Sequence, residues 1–275
     1  MNDQAMALPA ALASPTANYF ISPHYDDIAI SCGGTARLLA DAGRTPRIDV
    51  IFGSEPDAAA PLHEFAEELH RAWGLDAATV IASRQAEEAK AASILGATTR
   101  VLPFRDAIYR GRHYVGNPYL FGAIAPAESG LPDQVAAALL DSEPPEAGAR
   151  IYAPLGVGHH VDHQIAFLAG AQLAANDWDV WFYEDLPYAI NPGALESRLG
   201  ELARSHLVEP AVTIDVASVW RAKVGAIVAY ASQLETVFDY VGSGHSPADI
   251  DETMRAYADR AGGGVPGERF WRLRA

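Results

Sequence analysis

Cysteine is all but missing: Cys32 stands alone among 275 residues. A single thiol excludes an intrachain disulfide and any zinc cage built from several cysteines, and it fits a reducing compartment. Basic residues are scarce too, 20 Lys and Arg against 35 Asp and Glu, leaving a net charge of −15. That balance argues against nucleic acid or an anionic membrane as the main partner, since both demand a basic footprint. No stretch approaches the roughly 18 uncharged apolar residues that a membrane span needs. The first twenty residues, MNDQAMALPAALASPTANYF, lack the basic start and unbroken apolar core of a secretory signal. There is no internal repeat and no Pro-, Gly- or Ser-rich linker that splits the chain. These absences lead to the expectation of a soluble, cytoplasmic protein folded as one domain over residues 1–275.

What is present alternates. Hydrophobic residues make up 49% and charged residues 20%, an ordinary globular balance. "NYFIS" (18–22), "RIDVIFG" (47–53), "TRVLPF" (99–104), "RIYAPL" (150–155), "WDVWFYED" (178–185) and "VTIDV" (212–216) read as strands. Between them, "GTARLLADAG" (34–43), "HEFAEELHRAWG" (63–74), "SRQAEEAKAASILG" (83–96) and "HQIAFLAGAQLAAN" (163–176) read as helices. Ser83 suits an N-cap and Gly96 a C-terminal stop. "WRAKVGAIVAYASQLETVF" (220–238) reads as one long helix. Strands alternating with helices predict an α/β fold, a Rossmann-like, mostly parallel sheet flanked by helices. "DSEPPEAGA" (141–149) and "GSGHSPAD" (242–249) read as surface loops. Residues 105–130 hold no steady period, yet they mix Arg105, Arg110, Arg112 and His113 with Tyr109, Tyr114, Tyr119 and Phe121. A long aromatic loop of this kind is expected to be ordered, over a site or packed for stability.

Two clusters carry the chemistry. "ISPHYDDIAISCGG" sets His24, Asp26 and Asp27 directly after the first strand. "RIYAPLGVGHHVDHQIA" sets His159, His160, Asp162 and His163 directly after the strand at 150–155. In a doubly wound sheet, ligands bind beyond the carboxyl ends of the strands, so both clusters fall on that edge. Crowded carboxylates repel and lose hydration when buried, and a divalent metal would offset both costs. Imidazole with carboxylate suits zinc best, with iron or manganese as alternatives; calcium and magnesium want oxygen donors. One of Asp26 and Asp27 should bind metal while the other faces a water as general base, and spacing leaves open which does which. Cys32 opens a helix, where a thiolate is favoured. As a nucleophile it would leave Asp26, Asp27 and His163 without purpose, so it reads as a small packed residue. "CGGTAR" matches neither phosphate-binding glycine pattern and reads as close helix packing. His159 reads as packed behind the reacting groups or on the surface; His63, His70, His113, His206 and His245 read as unremarkable.

"PHYDD" and "HVDH" together resemble the PIG-L type of zinc-dependent N-deacetylases, the LmbE-like family, whose motifs run [AP]-H-x-D-D and H-x-D-H. "SRQAEEAKAASILGA" is similar to the family's S-R-x-x-E-x-x-x-A-x-x-L-G helix, "LPFRDAIYR" to its substrate-side Asp segment, and "AYASQ" (229–233) to a C-terminal helix of members. The resemblance implies that His24, Asp27 and His163 bind Zn2+, with Fe2+ as the alternative, and that Asp26 is the general base. It implies that His160 steadies the oxyanion or assists the leaving amine, and that Arg84 and Asp106 contact substrate. Tyr25, Ile28 and Val161 depart from a frequent proline, glutamate and proline, and none removes a reacting group. "YEDLPY" (183–188) follows a strand to the same edge, so Tyr183 and Tyr188 read as substrate contacts. Some members place a tyrosine where this chain has Gly158, and a phenol near the oxyanion would then come from Tyr183 or Tyr188. The implied reaction is hydrolysis of an N-acetyl amide on a sugar-like metabolite to acetate and an amine. A related amidase for a larger acyl or cysteinyl amide, and a metal-binding protein without turnover, stand as alternatives; an intact Asp26 speaks against the last. The oligomeric state cannot be read from the sequence.

Overall fold

The computed structural model describes residues 8–57, 60–76, 79–141 and 143–274. The reading of the N-terminus as free of a secretory signal thus lies partly outside the described residues, over 1–7.

Each strand of the first half leads into a helix. β1 (Asn18–Ser22) feeds α1 (Asp27–Asp41), and β2 (Arg47–Val50) is followed by α2 (Glu64–Ala72) and α3 (Val80–Leu95). β3 (Thr98–Val101) opens an irregular stretch that holds α4 (Asn117–Leu120) and ends at α5 (Leu131–Leu140). β4 (Arg150–Pro154) feeds α6 (Val161–Ala175), and β5 (Asp179–Tyr183) is followed by α7 (Ala194–Leu202). β6 (Leu207–Asp215), α8 (Trp220–Val228), α9 (Leu234–Asp239), α10 (Pro247–Ala261) and β7 (Gly267–Arg274) complete the chain.

The seven strands form one sheet in the order β3-β2-β1-β4-β5-β7-β6. β3 through β5 run parallel, whereas β7 pairs antiparallel with both β5 and β6. The central strands β1, β4 and β5 are buried almost throughout, as a sheet covered by helices on both faces requires. The order reverses between β1 and β4, which creates the crevice where open α/β sheets bind ligands.

Four local expectations need correction. α1 begins at Asp27 rather than Gly34, with Asp26 as its N-cap residue, and it kinks at Cys32 (φ −139°), so that the expected helix from Gly34 is its second part. Its glycines lie inside the helix for packing: a Cβ at Gly34 would sit 2.7 Å from Val216 Cβ. α3 starts at Val80 with Thr79 before it, so Ser83 is not a cap; Asp76 accepts from the Thr79 amide at 2.9 Å instead. The predicted helix 220–238 is two helices, broken over 229–233. "GSGHSPAD" is not wholly a loop, because Ser246 and Asp249 make a capping box that opens α10. Among the described residues, no helix is long and apolar enough to cross a membrane.

Candidate functional site

β1 and β4 pair in register, Asn18 opposite Arg150 and Phe20 opposite Tyr152, so the turns that follow them lie side by side. The turn into α6 bends through left-handed backbone at Gly156, Gly158 and His159 (φ 63°). Such strain in a non-glycine residue persists only where the surroundings enforce it. The His159 side chain itself pairs with Glu201 at 3.1 Å.

Three donors converge on one point. Asp27 Oδ2 lies 3.4 Å from His24 Nδ1, and Asp27 Oδ1 lies 3.4 Å from His163 Nε2. One donor atom from each residue falls within 4.8 Å of the others, and all three residues are buried. His163 Nδ1 is 2.7 Å from Asp185 Oδ1, whose other oxygen accepts from the Val157 amide at 2.9 Å. Donation from Nδ1 leaves the lone pair on Nε2, aimed at Asp27. That Nε2 is buried and has no hydrogen-bond partner. A buried acceptor left unmatched is costly, and a cation held with Asp27 and His24 would relieve it. Two imidazoles and a carboxylate fit zinc or iron.

A second trio, His24, His160 and Asp162, overlaps the first. Asp162 is already engaged: its Oδ1 accepts from Arg110 at 2.6 Å, and its Oδ2 from the Ala107 amide at 3.0 Å and faces His24 Nε2 at 3.0 Å. It therefore orients His24, as carboxylates behind ligand imidazoles do.

Charge is balanced closely. Burial would push Asp27 up, yet without a cation the two imidazoles are raised, against burial, by their carboxylate partners, and the protonated His163 and His24 then hold Asp27 well below the usual carboxylate range. Asp26 moves the other way, raised by burial and by Asp27 against the pull of Arg84 and His24. Burial and then the charge of His24 keep His160 well below an ordinary imidazole. The His160 Nδ1 accepts from the Asp162 amide at 3.2 Å, so its proton sits on Nε2. Arg84 reaches Asp26 at 3.5 Å and Asp106 at 3.8 Å, and Asp106 is 3.7 Å from His24 Nε2.

These groups line one end of a cavity of about 580 Å³. His24, Asp26, Asp27, Arg84, Asp106, His160 and Tyr188 reach it, and His163 lies behind Asp27. Tyr183 does not: it is buried in β5 and its hydroxyl donates to the Ile21 carbonyl at 2.9 Å, which corrects its reading as a substrate contact. Arg110, from the 105–130 stretch, is turned inward onto Asp162 and Glu128. Cys32 is fully buried, and its thiol is pushed well up by burial and by Glu268. Sequence reasoning missed Asp185, although it follows β5 at the same sheet edge. It also missed Trp73 and Tyr240, which reach the cavity from separate elements, whereas Phe121 reaches it from the 105–130 stretch that was expected over a site.

A family model described as PIG-L, GlcNAc-PI de-N-acetylase, matches residues 19–174. A protein of Niallia circulans named 2'-N-acetylparomamine deacetylase is 30% identical over 190 residues, which cover 62% of this chain and 66% of that relative. One of the same name from Streptomyces fradiae is 32% identical over 219 residues, 78% of this chain and 72% of its own. A crystal structure of a deacetylase of the teicoplanin biosynthesis pathway shares the fold with a TM-score of 0.72. The match covers 94% of this chain and 98% of that one at 22% identity. Both His–Asp motifs and the helix between them fall inside the family match, and the chain accordingly belongs to the PIG-L family of N-deacetylases.

Proposed function

We propose that this protein is a zinc-dependent enzyme, with iron as the alternative metal, that removes the acetyl group from an N-acetylated amino sugar. It works as one domain over residues 1–275, in the cytoplasm. The observation that carries the reading is the buried, unpartnered His163 Nε2, aimed at Asp27 beside His24, with the Asp26 carboxylate next in the chain and facing the same cavity. His24, Asp27 and His163 hold the metal, which when bound supplies a Lewis acid and an acidified water.

The remaining steps belong to the chain. Asp26, with its raised pKa, is a better proton acceptor than an exposed carboxylate. It takes a proton from the attacking water and then returns it to the departing nitrogen, so amide and water become acetate and amine. The neutral His160 offers its Nε2–H to the oxygen that gains charge at the acetyl carbon. Arg84 and Asp106, held near Asp26 and His24, position the sugar hydroxyls. Tyr188 stands edge-on to His163 at 5.4 Å and supplies the phenol near the reacting end. The names of the two curated relatives support an amino-sugar substrate.

The test joins metal analysis with acetate release. Asp26→Asn should lower kcat by about a hundredfold or more with zinc content unchanged. His24→Ala and His163→Ala should lose metal. If Asp26→Asn loses the metal instead, the two aspartates exchange roles.

A further inference from the structure

Resting on the deacetylase reading, we infer that the amino sugar carries an uncharged, apolar aglycone, aryl or alkyl, which lies along the aromatic wall that leads outward from His160. Three observations converge.

The first is extent. A cavity of about 580 Å³ sits within the roughly 300–1,000 Å³ that holds drug-sized ligands, and a single acetamido-hexose is smaller than those. The ionisable lining is gathered at one end by ion pairs among His24, Asp26, Asp27, Arg84 and Asp106 and by the edge-on contact of His160 with His24 at 4.9 Å. Space beyond it remains to be filled by another part of the substrate.

The second is continuity. Phe121, which follows α4, stands edge-on to His160 at 5.4 Å and stacks on Tyr240, which follows α9, at 5.8 Å and 23°. Tyr188 meets both edge-on, at 6.0 and 5.1 Å. The rings therefore run from the reacting end to Tyr240, which is 43% exposed at the mouth. Rings in this arrangement present apolar faces to a ligand.

The third is charge. Among the described residues, the charged side chains that line the cavity all belong to the reacting end, where Arg84 is engaged by Asp26 and Asp106. The polar lining outside it, Asn117, Gln233 and Thr236, is neutral. A polycationic aminocyclitol would lose hydration there with no carboxylate to meet it, whereas an aryl or alkyl group gains from burial.

The experiment compares kcat/KM of the zinc-loaded enzyme on five substrates: phenyl and octyl 2-acetamido-2-deoxyglucosides, free N-acetylglucosamine, 2'-N-acetylparomamine and N-octanoylglucosamine. The two apolar glycosides should exceed the other three by about tenfold or more, chiefly through KM. Tyr240→Ala, at an exposed position that should not disturb folding, should cut that preference to about threefold or less. Equal or faster turnover of free N-acetylglucosamine or 2'-N-acetylparomamine overturns the inference while leaving deacetylation standing. Faster turnover of N-octanoylglucosamine overturns it too, because the apolar wall would then hold the acyl chain. Release of acetate from none of the N-acetyl compounds would overturn the deacetylase reading and this inference together.

Discussion

Gly158 and Tyr188 compete for one volume. A Cβ at position 158 would lie 2.5 Å from the Tyr188 Cγ, and Gly158 has a φ of 88°. A tyrosine before the second motif, as some family members have, could not coexist with Tyr188 in this packing. The ring at 188 takes the space that the glycine leaves free. The other departures from the family pattern are similarly local. Tyr25 is buried and donates to the Gly53 carbonyl at 2.6 Å, and Val161 takes the first position of α6, where a proline would need no N–H either. Asp185 is the residue whose part only the structure disclosed. It fixes the tautomer of His163, so Asp185→Asn should weaken zinc binding about 10–100-fold. Competition with a chromogenic chelator would measure this, with circular dichroism to verify the fold; unchanged affinity would mean that His163 needs no such partner.

The break between α8 and α9 shows how an element boundary is set from outside. Ser232 donates its amide and hydroxyl to Glu87 at 2.8 and 2.7 Å, and the Tyr230 hydroxyl donates to Glu88 at 2.5 Å. Both carboxylates stand on α3, so a sequence window over 220–238 holds no sign of the interruption. Burial lifts Glu88 from its ordinary 4.5 to about 7, against the hydrogen bonds from Tyr230 and Thr99. In that window the native state holds a proton that the unfolded chain has released. Stability contributed by Glu88 is therefore intact below about pH 4.5 and falls until about pH 7, by about 3 kcal/mol in all. Glu88→Gln keeps the shape and removes the titration. The stability of the variant relative to the parent should rise between pH 5 and 8 in urea titrations; a flat difference would show that Glu88 titrates normally. The stretch 105–130 is ordered by the same means. Arg110 bridges Glu128 at 2.9 Å and Asp162 at 2.6 Å, and Tyr114 donates to Glu128 at 2.7 Å. Its arginine serves the loop and the site behind it.

At the scale of the molecule, the proposed metal donors come from both sides of the sheet's switch point, α1 after β1 and α6 after β4. No such site exists in the unfolded chain, so metal binding adds to folding stability. Zinc at a hundred times its Kd should add about 2.7 kcal/mol, a rise of about 5 °C in Tm for a chain of this size. His163→Ala should abolish that rise in a thermal melt, and an unaltered shift would place the metal elsewhere. Farther from the site, Glu268 of β7 ties the antiparallel edge to the helices. It accepts from the Gly34 and Thr35 amides at 2.9 and 2.7 Å and from Lys223 of α8 at 2.6 Å.

Alternating apolar periods determined the parallel half of the sheet, and two short motifs at strand ends determined where His24, Asp26, Asp27, His160 and His163 gather. Both signals are local: periodicity shows which face is buried, and a strand's end shows which sheet edge its turn reaches. Tertiary structure alone decided the rest. It turned Tyr183 into the core and Arg110 onto Asp162, placed Asp185 behind His163, and brought Phe121, Tyr188 and Tyr240 into one wall. The antiparallel β7 went unread because its partners β5 and β6 lie far back in the chain, whereas α10 was overlooked although Ser246 and Asp249 form a local start signal. Contacts between residues a hundred positions apart leave no period and no spacing in a single sequence, so only the packed fold discloses them.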